Sequence, residues 1–155
     1  MNRPSRPLVF LGMAREISKR STCMRLAVGA IVVVNSNRPV SEGYVGHAPG
    51  ADHCRGNDCP GRHGCNLTIH AEVNALDRVP AEFADLEKDL YCTHSPCGMC
   101  AGYALSRKVR RIFFEIPYRN PKPIADLIKD GVEVFRVTAA GYIINERDQG
   151  LVEFS

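Results

Sequence analysis

Residues 89–116, DLYCTHSPCGMCAGYALSRKVRRIFFEI, decide the fold. Asp89 to Thr93 is short and mostly apolar, which predicts a strand. Pro96 suits the first position of a helix, because that position needs no backbone N–H and proline already holds a helical φ. The helix then covers about 96–107, and Val109 to Ile116 is a second strand. A helix joining two strands in this way is a crossover, and crossovers connect parallel strands.

Downstream, Pro123 to Lys129 predicts a short helix closed by Gly131, and Val132 to Val137 a further strand. The tail from 138 is weakly patterned. Upstream, Pro7 stands before an apolar-periodic run that predicts a helix over about 8–20. Val28 to Val34 is a β-branched run typical of a buried strand. Asn35, Ser36, Asn37 and Pro39 make a turn, and Val40 to Val45 returns as an antiparallel strand. Thr68 caps a helix over about 69–79 that ends at Pro80. The order α-β-β-α-β-α-β-α-β has no internal repeat. It predicts an α/β fold: a three-layer α/β/α sandwich with a mostly parallel, five-stranded mixed sheet.

The chain has 155 residues, 45% of them apolar and 24% charged. That is enough for one core and too little for two, so residues 1–155 are expected to form one domain. The formal charge of +3 is too small to argue for nucleic acid. No apolar run reaches the roughly 18 residues of a membrane span. The first residues weakly mimic a signal peptide, but Arg15, Glu16, Lys19 and Arg20 follow at once without a small-x-small cleavage site. A cytoplasmic protein is expected.

Seven cysteines lie at 23, 54, 59, 65, 92, 97 and 100. An odd number fits a closed disulfide framework poorly and points to metal or catalysis. Three of them fall in 46–66, a long stretch rich in Gly, Cys and His. Loops this long are uncommon in compact domains unless functional.

Two segments carry chemistry: His70-Ala71-Glu72 and Pro96-Cys97-Gly98-Met99-Cys100. His70, Cys97 and Cys100 supply the three protein ligands of a catalytic zinc, which keeps a fourth position open. The two-residue spacing lets both sulfurs face one ion across a helical turn, and a helix N-terminus favours the thiolate. Glu72 lies close to the metal without being needed as a ligand, so it can move protons. Taken alone, Cys-x-x-Cys also suits a redox pair or half of a structural zinc site, and His-x-Glu an ordinary helix start. Cys92 and His94 alternate along a strand, where Cys92 reads as a packed core thiol.

His-x-Glu followed by Pro-Cys-x-x-Cys is the mark of zinc-dependent base deaminases. The chain resembles the cytidine deaminase superfamily over nearly its whole length, and within it the deoxycytidylate (dCMP) deaminases. The blocks that carry the narrower resemblance are Arg20 to Ala30, Gly43-Tyr44, His53-Cys54 with Cys59 and Cys65, Ile69 to Ala75, and Thr93 to Cys97.

The resemblance implies a cytidine deaminase-like fold, a catalytic zinc, and hydrolysis of dCMP to dUMP and ammonia with Glu72 as the proton carrier. It also implies a second, structural zinc on Cys23, Cys54, Cys59 and Cys65, with His53 and His63 in reserve. Family members are often homohexamers regulated by dCTP and dTTP near the loop after the second strand, where Gly43, Gly46 and Gly50 would suit close approach. Backbone N–H groups near Cys97 and the Ser95 carbonyl would orient the base. Ser18, Lys19, Arg20 and Arg25 are candidate donors to the 5′-phosphate, or else a solvated helix end. The family has Asn after Gly-Tyr; here Val45 follows Tyr44, with His47 and Asn74 as candidate replacements. That departure leaves room for another pyrimidine nucleotide. The alternatives are a deaminase of tRNA adenosine, suggested by Pro96 to Gly102, and a zinc-stabilised binding module without catalysis. Glu72 argues against the last.

Overall fold

A computed structural model describes residues 3–54, 59 and 67–155. The chain runs α1 (Arg6–Ser18), β1 (Gly29–Val34), β2 (Arg38–Tyr44), β3 (Gly46–His47), β4 (Thr68–Ile69), α2 (Ala71–Asp77), β5 (Lys88–His94), α3 (Gly98–Ser106), β6 (Val109–Ile116), α4 (Lys122–Lys129), β7 (Glu133–Val137), β8 (Ile143–Asn145) and β9 (Leu151–Val152). Among the described residues the main sheet has seven strands in the order β2-β1-β5-β6-β7-β8-β9. The β5-β6-β7 block is parallel, as the crossovers require. The β1-β2, β1-β5, β7-β8 and β8-β9 pairs are antiparallel.

Alternation along each strand makes the three layers. Ala30, Val32, Leu90, Cys92, Ile112 and Phe114 face α2, α3 and α4 in one core. Ile31, Val33, Tyr91, Phe113 and Phe135 face α1 in the other. Tyr91, Phe113 and Phe135 stack in sequence, with centroids 4.5 and 4.8 Å apart.

Several expectations are corrected. The sheet has seven strands rather than five, because the weakly patterned tail adds β8 and β9 beside β7. It is mixed, but antiparallel pairs outnumber parallel ones. The first helix covers Arg6–Ser18 rather than 8–20, with Pro7 in its first turn. Pro96 precedes the third helix, whose N-cap is Cys97 with an extended backbone. Thr68 pairs in β4 opposite His47 rather than capping α2, and His70 occupies the cap.

The attachment of α2 to β2 positions the site. A Cβ on Gly43 would stand 2.4 Å from both the Ala71 carbonyl oxygen and the Ala75 nitrogen. The missing side chain is therefore space for the helix backbone, not for a triphosphate. Gly46 is closed off too, with Thr22 Oγ1 3.1 Å from the place of its Cβ. Buried Ser41 donates its hydroxyl to the Ala75 carbonyl at 2.6 Å, and Asn74 Nδ2 donates to the Tyr44 carbonyl at 2.9 Å. Gly43→Ala is expected to push α2 off the sheet. Overpacking of this kind costs about 1–3 kcal/mol, a fall of roughly 3–10 °C in Tm for a domain this size. Thermal unfolding of the metal-stripped variant checks it.

Candidate metal and catalytic site

Two helix starts meet on one face of the sheet. His70 caps α2 and Cys97 caps α3, both with extended backbones that turn their side chains out of the helices. Cys100 sits in the first turn of α3 and is buried. His70 Nδ1 lies 3.2 Å from Cys100 Sγ and 3.5 Å from Cys97 Sγ. The three ligand atoms lie within 4.8 Å of one another, and no other group of three such residues forms among the described residues. Tetrahedral zinc with ordinary bond lengths places nitrogen about 3.5 Å from sulfur and two sulfurs about 3.8 Å apart. One nitrogen and two sulfurs at these separations fit zinc.

Shared protons tie the three groups together. The Cys100 thiol, and after it the His70 imidazole, hold Cys97 down to about 3, a thiolate. Its hydrogen bond to Cys97, with burial second, pushes Cys100 far up. The Cys97 sulfur likewise raises His70. Glu72, in the first turn of α2, is only 5% exposed, and burial pushes its carboxyl above the usual carboxylate range. Cys92 beneath the site is fully buried, and burial raises its thiol well above the usual value. It is a packed core thiol, as its strand position implied.

A cavity of about 100 Å3 opens onto this cluster. Glu72, His70 and Cys97 line its reactive part. Leu26, Val28 and Val45 give it an apolar wall, and His94, Ser95 and Tyr118 complete it. Ser95 is fixed twice: its N–H donates to the Ile116 carbonyl at 2.9 Å, and its Oγ accepts the Tyr118 N–H at 2.7 Å.

The other candidates are placed as follows. Val45 is in the wall, and its backbone is occupied by Val28 and Thr22. Asn74 and Tyr44 bond each other outside the lining. Ser18 donates to the Arg15 carbonyl and Lys19 to Glu16. Neither these two nor the exposed Arg20 and Arg25 line the cavity. His47 Nε2 lies 3.3 Å from Cys54 Sγ, and Nδ1 3.1 Å from Thr22 Oγ1. Cys23 packs against the larger core. Cys65 and His63 lie outside the described residues, as does most of the Cys-rich loop around Cys59. Sequence reasoning missed the cavity role of Leu26, which lies inside the Arg20 to Ala30 block, and missed Tyr118, which belongs to no motif. Tyr118 reaches the cavity through its bond to Ser95. Val28 was visible as the start of a strand and as part of the same block, without a role in the cavity.

Residues 5–116 match the cytidine and deoxycytidylate deaminase zinc-binding region. ComE operon protein 2 of Bacillus subtilis is 30% identical over 99% of this chain and 82% of its own length. A deoxycytidylate deaminase of Schizosaccharomyces pombe is 31% identical over 82% of this chain, which spans only 42% of that longer enzyme. The dCMP deaminase of cyanophage S-TIM5, solved in complex with dCMP and dUMP, is 29% identical. It superposes with a TM-score of 0.73 over 88% of this chain and 100% of that one.

Proposed function

The chain belongs to the cytidine and deoxycytidylate deaminase family, and from that premise we propose that it hydrolyses dCMP to dUMP and ammonia. The observation that carries the reading is a buried carboxyl, Glu72, sharing a cavity with a His–Cys–Cys cluster of zinc-binding dimensions. Curated dCMP deaminases of similar sequence and the likeness to a dCMP-bound structure support the substrate.

His70, Cys97 and Cys100 would hold the metal. Zinc, when bound, supplies Lewis acidity that makes water a competent nucleophile near neutral pH. Glu72 takes a proton from the attacking water and passes it to ring N3, then carries the remaining hydroxyl proton to the N4 amine. The C4–O bond forms, the C4–N bond breaks and ammonia leaves. Burial raises the Glu72 carboxyl above the usual carboxylate range, which makes it a stronger base toward the attacking water. The aliphatic wall of Leu26, Val28 and Val45 keeps bulk water from the base, and the doubly fixed Ser95 orients it.

The same reading takes residues 1–155 as one deaminase domain in the cytoplasm. It includes a second, structural zinc on Cys23, Cys54, Cys59 and Cys65. His47, in contact with Cys54, is a further candidate ligand. Assembly as a homohexamer with dCTP and dTTP as effectors follows from the family likeness. Of the three glycines expected near an effector, Gly50 has φ +82 and open space where a Cβ would stand. No helix among the described residues is long and apolar enough to cross a membrane.

Val45 favours a second reading, because a buried aliphatic side chain in the wall cannot supply the family amide. The enzyme would then prefer another pyrimidine nucleotide. Ammonia release by zinc-loaded protein from dCMP, dCTP, cytidine and 5-methyl-dCMP separates the two. The first reading expects dCMP to have the highest kcat/KM and Val45→Asn to add at most a modest gain. A hundredfold preference for another substrate would overturn it. In that case Val45→Asn should hurt the true substrate by about 1–3 kcal/mol, the desolvation of one unpaired group.

A further inference from the structure

His94, at the end of β5, is not used by the chemistry above, yet its ring lines the same cavity. Its neighbour fixes its tautomer. Thr93 is buried, and its Oγ1 accepts the Gly29 N–H at 3.2 Å. That oxygen also lies 3.0 Å from His94 Nδ1. A buried hydroxyl hydrogen needs an acceptor, and among the described residues Nδ1 is the one it meets. Thr93 therefore donates to Nδ1, and the neutral ring carries its hydrogen on Nε2. Partial burial lowers the imidazole pKa and keeps the ring neutral.

Position then limits what Nε2–H can meet. Glu72 is buried, so the reacting edge of the base goes to the closed part of the cavity. His94 is half-buried and shares the lining with Leu26 and Tyr118, which are 40% and 45% exposed. The more open part receives what hangs from the base. In that part Leu26 offers no donor, and the side-chain donors are those of His94 and Tyr118.

We propose that His94 is a specificity-determining residue whose Nε2–H donates to the 3′-hydroxyl or to a phosphate oxygen of the bound nucleotide. The proposal rests on the deaminase reading for the identity of the ligand, though not for the state of the ring.

Two measurements test it. Imidazole nitrogen NMR of the zinc-loaded protein should show Nδ1 of His94 unprotonated and Nε2 protonated; a hydrogen on Nδ1 overturns the proposal whatever the activity. Kinetics then compare wild type, His94→Gln and His94→Leu on dCMP, deoxycytidine and 2′,3′-dideoxycytidine monophosphate. Leucine should raise KM for dCMP about tenfold, the worth of one such bond, with kcat nearly unchanged. Glutamine, which keeps a donor, should recover most of the loss. The Leu effect should vanish on deoxycytidine if the acceptor is the phosphate, and on the dideoxy compound if it is the 3′-hydroxyl. An equal loss on all three substrates, no loss at all, or a Gln variant no better than Leu would overturn the proposal. If wild type releases no ammonia from dCMP, the deaminase reading fails, and the nitrogen spectrum still decides the tautomer.

Discussion

Glu72→Gln is expected to lower kcat on dCMP by a factor of roughly 10² to 10⁴, the usual worth of a positioned general acid–base group, while zinc content stays at the wild-type level. Gln fills the same space and keeps hydrogen-bonding capacity, so the loss isolates proton transfer from packing. A variant retaining more than about a tenth of wild-type kcat would contradict the role, since that is a barrier change of only ~1.4 kcal/mol. The metal-stripped variant should be no less stable than wild type at neutral pH. Burial raises the folded-state carboxyl above its unfolded value. Its stabilising contribution is therefore present below the unfolded pKa and lost as pH rises through the folded one. Gln mimics the protonated form, so urea melts should show an advantage at pH 8 that shrinks toward pH 4.

Metal analysis of replete protein should give two zinc ions per chain, and two cysteine variants should each remove one with opposite consequences. Cys100→Ser takes a buried sulfur from the cluster beside the cavity. It should lose that ion and reduce turnover to background, because the Lewis acid goes with it. Cys54→Ser should lose the other ion and keep much of the turnover at low temperature. Its Tm should fall steeply, because structural zinc binding is coupled to folding free energy. A single ion per chain in the wild type would rule out the second site.

The parts of the fold set by local rules were readable in the sequence. The run Gly29–Val34 is buried throughout, so its composition alone identified a strand with two covered faces. The crossover from β5 to β6 fixed parallel pairing. Helix ends were less legible, because His70 and Cys97 are unusual caps whose side chains turn toward one cluster, and Pro96 stands two positions before the first helical residue, the place proline prefers. β8 and β9 escaped notice because they are three and two residues long and depend on a neighbour that only tertiary structure supplies. The His70, Cys97 and Cys100 cluster was legible because one helical turn dictates the Cys97–Cys100 spacing and the residue types of His70-Ala71-Glu72 supply its other half. The cavity wall was not. Leu26 and Tyr118 arrive from segments without periodicity, and the basic residues at the end of α1 carry no sign of which way they point.

The two ends of the sheet finish differently. At one, β2 carries Pro39 opposite Val33, next to a register shift in the ladder, and exposes Arg38 and Glu42. Proline withholds a donor, the irregularity disturbs the row of amides, and the charges are costly to cover. At the other, β9 offers only two residues. Neither border is a good template for a further strand, so the sheet resists growing by edge-to-edge addition into ribbons or fibrils. Copies of the chain that associate must then do so through helical faces and loops.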